Sequence, residues 1–299
     1  MRVMKGTFVA VALGCAVLCG CEKPVDTQRV QEYAKTFAAG AASFDDVAAD
    51  FAQSCVRIRE YSDNSAAFLR TRPVVEMTPA PNGVAPPTCA LAATVSAQWK
   101  LRNVILEQYV QGLAAIAGVD TKPDGTDALG SALTSTSIFS STQATAFGDL
   151  VSTIVSIKME NDRDAELRRV VLKADPSVAQ ATESLASTAE GPYTTLLDDE
   201  EVVVDRFYQR YLRNAVHPNG DRLTILHVRQ EWLARRNDVE TRKQKALAYA
   251  ASMRDLAKTD AALAKAAQSQ ASLSEMIDVV NDNVVPLVKD VSALASSGG

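Results

Sequence analysis

The side chains that most often carry catalysis are scarce in this chain. It contains only two histidines, His217 and His227, and their separation does not match the H-E-x-x-H spacing that brings two imidazoles and a glutamate onto one helix face to bind zinc. A serine nucleophile needs a nearby base, and the glycine-flanked turn that exposes such a serine does not occur in the sequence. We therefore expect neither a zinc protease nor a serine hydrolase.

Carboxylates and glycines could build two other kinds of site. The densest acidic cluster occupies residues 198–201, but adjacent carboxylates on a helix point in different directions and so do not form the opposed acid–base pair of a glycosidase. Negative charge near the start of a helix is instead favoured by the helix dipole. Residues 125–131 have the glycine spacing of a phosphate loop without its lysine. The sequence thus predicts a protein that is not an enzyme and has no metal or cofactor.

The first twenty residues have the pattern of a segment that directs export. Two positive charges, Arg2 and Lys5, precede an apolar run over residues 7–18, and small residues follow, as in a cleaved signal peptide. The run of twelve residues is shorter than the ~20 that a membrane-spanning helix needs. We therefore predict that residues 1–20 are removed from the mature chain.

The residues around this cleavage site are Leu18, Cys19, Gly20, Cys21 and Glu22. They resemble the lipobox of bacterial lipoproteins, in which an aliphatic residue and two small residues precede the cysteine that is acylated. The resemblance covers residues 1–23 only, and it implies that Cys21 becomes the mature N-terminus and carries palmitate. A residue other than aspartate after that cysteine resembles the outer-membrane sorting rule. This implies a lipid anchor in the outer membrane, with the protein on the periplasmic side rather than at the cell surface.

Two cysteines remain in the mature chain once Cys21 carries lipid. In an oxidising compartment such a pair forms a disulfide more often than not, so we predict a bond between Cys55 and Cys89; two separate buried thiols are the alternative. The bond would close a Pro-rich loop, residues 71–89, in which five prolines exclude a helix. This loop would serve either as a partner contact or as a stabilised linker.

Helix-forming residues dominate the mature chain, and no alternating strand pattern of useful length occurs. We predict an all-α fold, an elongated helical bundle with long antiparallel coiled-coil-like helices. N-terminal helices in residues 21–70 and a main helical bundle in residues 90–299 would flank the Pro-rich loop and share one core.

Glycine, proline and charged residues predict where helices end. We expect a break at Gly40 and a long helix over residues 143–173 whose charged middle is exposed. Interruptions are expected at Pro176 and at Pro192, because proline lacks the backbone N–H that a helix interior requires. A last helix is predicted over residues 272–294.

The longest predicted helix begins at Asp221 and has about 45 residues. Apolar residues recur in it every seven positions, which favours antiparallel packing against a neighbouring helix over residues 194–214. His227, beside this heptad stripe, is expected to be a partly buried packing residue. The members of the heptad stripe are Ile225, Trp232, Val239, Ala246 and Met253.

Charge is distributed unevenly along the chain. The net charge of the whole sequence is −5, and this acidity argues against nucleic acid as a partner. Residues 205–258, however, contain twelve Lys or Arg against six Asp or Glu. This pattern favours a solvated face that pairs with its own acidic neighbours. The second interpretation is a basic contact surface for anionic lipid, cell-wall polymer or an acidic protein. The members of this basic surface would be Arg206, Arg210, Arg213, Arg235, Arg236, Arg242, Lys243 and Lys245.

These features favour a membrane-anchored lipoprotein that faces the periplasm and acts as a non-catalytic binding, assembly or scaffold module of the cell envelope. Its partners would be the membrane, through the N-terminal lipid, and a protein or cell-wall polymer. An immunity or inhibitor-type lipoprotein that blocks a toxin or an enzyme is the alternative. An envelope enzyme is a third class, which would need convergent carboxylates in a deep pocket.

Lipidation requires the thiol of Cys21, so we expect Cys21→Ala to abolish labelling of the protein by radioactive palmitate in growing cells. Cys19→Ala is the matched control, because it changes the neighbouring cysteine and leaves the acceptor in place. That control should be labelled normally. Palmitate labelling of Cys21→Ala would contradict the assigned lipidation site.

Overall fold

The computed structural model describes residues 27–70, 89–118, 141–157, 162–215 and 221–296. Within these ranges the chain is almost entirely helical and contains no strand, which confirms the all-α prediction. The predicted lipid site Cys21 and most of the Pro-rich loop lie outside the described residues. The α-helices are α1 (Thr27–Arg70), α2 (Cys89–Ile116), α3 (Ser141–Val155), α4 (Arg163–Thr188), α5 (Thr194–Ala215), α6 (Arg222–Gln268) and α7 (Leu273–Ser296).

Helix α6 begins where the sequence predicts and has 47 residues. The carboxylate of Asp221 caps it, accepting hydrogen bonds from the backbone N–H groups of Leu223 at 3.1 Å and Thr224 at 3.3 Å. The last three members of the heptad stripe, from Val239 onward, are buried, and the first two are half-buried. The stripe therefore faces the core, while the finer coiled-coil description of the bundle stays a prediction.

The prediction for His227 is wrong, because its side chain is exposed. It follows Ile225 of the heptad stripe by two residues, which places it roughly 200° around the helix from that member. A residue next to an apolar stripe in sequence can thus lie on the opposite side of the helix, and the imidazole of His227 does so.

The helix breaks predicted at glycine and proline are also wrong. Gly40 lies inside α1, where Phe37 and Phe44 on either side are buried. Pro176 lies inside α4 between the buried Ala174 and Val178. Packing of these faces offsets the backbone cost of a central glycine, and of the one hydrogen bond that a proline removes.

Pro192 does not end a helix either. It lies in a π-helical segment, Ala189–Tyr193, that joins α4 to α5 without interruption. The wider turn of a π-helix gives room to a proline ring that would clash with the preceding turn of an α-helix. The side chain of Thr194 also donates a hydrogen bond to the carbonyl of Glu190 within this segment.

The long helix expected over residues 143–173 is instead divided between α3 and α4. The chain leaves α3 at Val155, and Asp162 caps the start of α4 by accepting from the backbone N–H of Ala165 at 3.0 Å. The charged middle is not uniformly exposed, because Glu166 is buried and pairs with Arg169 at 2.7 Å. A strong capping residue inside a charged run thus starts a new helix.

Aromatic side chains from several helices meet at the centre of the core. Trp99 of α2 donates from Nε1 to the Tyr249 hydroxyl of α6 at 2.7 Å, and Tyr249 donates to Oδ1 of Asn103 at 2.7 Å. Phe44 of α1 packs edge-on against the Tyr249 ring, with centroids 5.3 Å apart. Helix α1 and the helices that follow the Pro-rich loop therefore contribute to the same cluster of buried side chains.

Contacts along α1 show how its neighbours are directed. Asp45 accepts from Asn103 and Cys55 is bonded to Cys89, so α1 and α2 are antiparallel. The end of α2 therefore lies beside the early turns of α1. Leu113 of α2 and Leu263 of α6 line one small apolar cavity with residues of α4 and α7. We call this end of the bundle the base.

The opposite end is formed by α1, α5 and α6. Helices α1 and α5 are parallel, because Arg57 contacts Glu200 and Tyr61 contacts Tyr208 further along both helices. Helix α6 is antiparallel to α5, because Trp232 near its start donates to Asp205 at 2.7 Å. We call this end the arm and define it as residues 57–63 of α1, 205–213 of α5 and 222–236 of α6.

The predicted disulfide is confirmed, since the sulfur atoms of Cys55 and Cys89 lie 2.21 Å apart. Cys89 is the first residue of α2, and Cys55 lies in α1 two residues before the arm begins. The bond therefore fixes the start of α2 to α1 just below the arm.

Removing the disulfide should destabilise the fold, because an open chain loses more conformational freedom on folding. For a separation of 34 residues the chain-entropy relation gives roughly 3–4 kcal/mol. We expect urea unfolding of the double variant Cys55→Ser/Cys89→Ser to show a loss of this size in the free energy of unfolding. Wild type whose disulfide has been reduced should unfold at the same urea concentration as the double variant. An unchanged midpoint in the double variant would contradict a role for this bond in stability.

Candidate functional site

The assignment of Arg242 to the basic surface is wrong, because this residue is buried. Its side chain is only 10% exposed and lies between α1 and α5, where it contacts Asp50 and Glu200. The residue lies three positions after Val239 and four before Ala246, which is the second apolar position of the heptad pattern. A guanidinium at that position faces the core and needs buried partners.

Glu200 of α5 provides those partners. Its carboxylate accepts two hydrogen bonds from Arg242, each at 2.8 Å, in a bidentate pair. Arg57 of α1 donates from Nε to the same carboxylate at 2.7 Å, and the Ser54 hydroxyl donates at 2.6 Å. Glu200 is 1% exposed, so one buried carboxylate joins α1, α5 and α6.

Asp50 of α1 completes the charge balance. It accepts from Arg57 at 2.6 Å, from Arg242 at 3.2 Å and from the Tyr193 hydroxyl at 2.5 Å. The exposed Asp238 of α6 also pairs with Arg242, at 3.0 Å, so two arginines face three carboxylates between the arm and the rest of the bundle. We call Asp50, Ser54, Arg57, Tyr193, Glu200 and Arg242 the buried ion network.

The network keeps its carboxylates ionised. Burial by itself would raise the pKa of Glu200, but hydrogen bonds from Arg242, Arg57 and Ser54 outweigh it and hold the pKa below the usual value. Burial also opposes the charge on Asp50, and the nearby guanidinium of Arg242 reverses the effect, so its pKa is lowered as well. Each charge therefore depends on the others remaining in place.

Two further members of the predicted basic surface pair with acidic neighbours. Lys243 contacts Asp198 at 2.7 Å and Glu201 at 2.8 Å. Arg236 contacts Glu201 at 3.2 Å and Asp205 at 3.5 Å. The acidic cluster over residues 198–201 therefore neutralises part of the basic segment, as expected for a solvated face that pairs with its own acidic neighbours.

Four other basic residues of the arm are exposed to solvent. Arg206 and Arg213 on α5 are exposed, as are Arg222 and Arg229 on α6, and within the described part of the chain none of the four forms an ion pair. Arg222 and Arg229 were not included in the predicted surface. Two members of the predicted surface, Arg210 and Lys245, are half-buried.

Aromatic packing holds the arm together beneath these charges. The ring of Tyr61 lies 5.3 Å from that of Phe207 and 6.2 Å from that of Tyr208. Arg235, another member of the predicted surface, is exposed, and its guanidinium lies near enough to the hydroxyls of Tyr61 and Tyr208 for them to raise its pKa. Because the rings belong to α1 and α5 while Arg235 belongs to α6, this packing links all three helices of the arm.

A second buried carboxylate lies closer to the base. Oδ1 of Asp260 accepts from the Tyr109 hydroxyl at 2.5 Å, and its Oδ2 has no hydrogen-bond partner among the described residues. Burial raises the pKa of Asp260 to about 7, although the hydrogen bond from Tyr109 lowers it in part. Asp260 is therefore an uncompensated acid, unlike Glu200.

The described ranges hold neither a metal-binding cluster nor a membrane-spanning helix. Within residues 27–70, 89–118, 141–157, 162–215 and 221–296, no three His, Cys, Asp or Glu side chains come together in a way that could bind a metal ion. None of the helices there combines the length and apolar character that crossing a bilayer requires.

Comparison of the chain with protein-family models, with curated proteins and with solved structures gives no match in any of the three.

Replacing Glu200 should strongly destabilise the fold. Glu200→Gln keeps the shape of the side chain but removes one negative charge from the buried Arg242 and the half-buried Arg57. Asp50 and Asp238 still pair with Arg242, so we expect a loss of about 2–4 kcal/mol in the free energy of unfolding. Glu201→Gln is the matched control, because Glu201 pairs with Lys243 and Arg236 near solvent, and it should cost less than about 1 kcal/mol. Urea unfolding of the unlipidated mature chain at pH 7 measures both. Equal losses for the two variants would contradict the role of Glu200.

The raised pKa of Asp260 makes stability depend on pH. The pKa of Asp260 is 3.8 in the unfolded chain and about 7 in the folded one. Below pH 3.8 the carboxyl is protonated in both states and its contribution to stability is complete. As pH rises toward about 7 that contribution is lost, because the unfolded chain ionises first. Asp260→Asn should remove this dependence, so its stability relative to wild type should rise by about 2–4 kcal/mol between pH 4 and pH 8. Asp278→Asn, at an exposed position, is the control and should show no such trend. A constant difference between Asp260→Asn and wild type would refute the shifted pKa.

Proposed function

We propose that this chain is a non-catalytic scaffold or binding module of the bacterial cell envelope. A lipid on Cys21 would anchor it in the outer membrane on the periplasmic side, and the arm would contact an anionic partner. Lipidation, location and partner are all proposed here, and each has its own test.

One observation carries this proposal. Helix α1 begins at Thr27, six residues after Cys21 in the sequence, and continues without a break to Arg70. At 1.5 Å per residue its 44 residues correspond to about 65 Å. A lipid on Cys21 would keep the start of α1 close to the bilayer, whereas the arm lies at the far end of the same helix.

The buried ion network supports a role in positioning. It connects the three helices of the arm through Glu200, so the arm is held by charged groups that need a defined geometry. Buried ion pairs contribute little net stability compared with apolar packing. Their placement here is better explained as fixing the relative position of α1, α5 and α6, which suits a surface that must meet a partner in one orientation.

The exposed charge of the arm indicates the partner's sign. Arg206, Arg213, Arg222 and Arg229 are solvent-exposed, and a cluster of unneutralised guanidinium groups attracts an anionic surface. The rest of the chain is acidic, since the whole sequence has a net charge of −5 although residues 205–258 are basic. This separation of charge favours binding through the arm.

Crosslinking in intact cells, followed by detergent purification and mass spectrometry, tests the proposal. We expect discrete crosslinked complexes with the wild-type chain in the outer-membrane fraction, and their loss by at least tenfold in the charge-reversal variant Arg206→Glu/Arg213→Glu/Arg229→Glu. Lys258→Glu, an exposed cation of α6 beyond the arm, is the control and should retain the complexes. Complexes that persist in the triple variant, or a chain that fractionates as a soluble protein, would contradict the proposal.

A further inference from the structure

The outer face of α6 in the arm combines exposed leucines with arginines. Leu223, Leu226 and Leu233 are 74%, 54% and 56% exposed. Single exposed leucines are ordinary on protein surfaces, but these three lie on one side of one helix, at spacings of three and seven residues. Such spacing forms a continuous stripe rather than scattered contacts.

This leucine stripe faces away from the core. Leu226 follows Ile225 of the buried heptad stripe by one residue, so it projects about 100° further around the helix. Leu233 has the same relation to Trp232, seven residues later. From Leu223 to Leu233 the stripe extends for about 15 Å along the helix axis, which corresponds to the contact length of a short helix segment.

Basic residues flank the leucine stripe at the same seven-residue interval. They are Arg222, Arg229 and Arg236, and a residue four positions before or after a leucine lies on the same side of a helix. Arg222 and Arg229 have no ionic partner among the described residues, whereas Arg236 is shared with Glu201 and Asp205. The face therefore presents apolar side chains beside positive charge that no residue in the described ranges neutralises.

The chemistry of this face selects among possible occupants. A second copy of the arm would bring arginines against arginines, which is unfavourable. A polysaccharide offers acidic groups but no continuous apolar stripe for three leucines. The bilayer that holds the proposed lipid lies near the base, at the other end of α1. An amphipathic helix of another protein, with apolar residues along one side and Asp or Glu beside them, matches both the leucines and the arginines.

We infer that the leucine stripe and its flanking arginines are a docking site for an acidic amphipathic helix of a partner protein. The inference rests on the proposed function and specifies the partner's chemistry. The partner helix places its apolar residues against Leu223, Leu226 and Leu233, and its carboxylates beside Arg222 and Arg229. Binding weakens as salt screens these exposed charges.

Site-specific photocrosslinking in intact cells tests this inference on the full lipidated chain. A photoreactive amino acid at position 226 should form an adduct with one protein, and sequencing of the adduct should place it in a segment with Asp or Glu beside helically spaced apolar residues. The same probe at His227, which is exposed but turned about 100° away, is the matched control and should give at least tenfold less adduct. Adding Arg229→Glu to the position-226 probe should lower the adduct yield at least tenfold.

Other adducts would overturn the inference. Attachment to lipid would identify a membrane contact, attachment to a second copy would identify self-association, and attachment to a segment without acidic residues would exclude charge recognition. If the crosslinked complexes form and depend on the arginines of the arm, but the probe at position 226 gives no adduct, the assigned docking site is wrong while the proposed function stands. If those complexes never form, the proposed function itself fails.

Discussion

The carboxylate of Glu200 is the group on which the packing of α1, α5 and α6 next to the arm depends. It accepts a bidentate pair from Arg242, a third guanidinium N–H from Arg57 and the hydroxyl of Ser54. Removing the carboxylate would take the bidentate partner from the buried guanidinium of Arg242, and leaving a buried charged donor without its partner costs more than most single contacts contribute. Because its donors come from α1 and α6 while Glu200 belongs to α5, the relative position of these helices is set by a single charge balance.

This constraint links the interior of the bundle to its exposed arm. Above the network, aromatic rings of α1 and α5 pack together, and α6 is held to α5 by Trp232 and Arg236. The inner face of α6 therefore packs against α5, while Leu223, Leu226 and Leu233 are exposed beside arginines on its outer face. Lys243 and Arg236 neutralise the acidic cluster of α5, whereas Arg222 and Arg229 do not. The arm is therefore stabilised by one set of cations and presents another set to solvent.

Composition and local signals were sufficient for the all-α fold, the capped start of α6 and the disulfide. The fold follows from the content of helix-forming residues, the start of α6 from Asp221, and the disulfide from the two cysteines that remain beside the lipid site. Such signals failed where tertiary packing overrides them, as at Gly40 and Pro176.

They also failed for Arg242, which charge counting assigned to the surface. Arg242 lies at the heptad position between Val239 and Ala246, which indicates that its side chain faces inward. Glu200 lies at the matching position between Leu197 and Val204. The pairing of these two residues was therefore detectable from the pattern. Their partners on α1 were not, since they lie about 140–190 residues away.

The central claim, that the Glu200 network fixes the arm, is tested most directly by a distance between two of its helices. Spin labels at positions 59 of α1 and 229 of α6, both exposed, should give one narrow distance distribution in the otherwise native mature chain. Glu200→Gln should broaden that distribution, whereas labels at positions 173 and 265, on α4 and α6 away from the arm, should stay narrow in both. An arm distribution that is unchanged by Glu200→Gln, or that is broad already in wild type, would contradict the account.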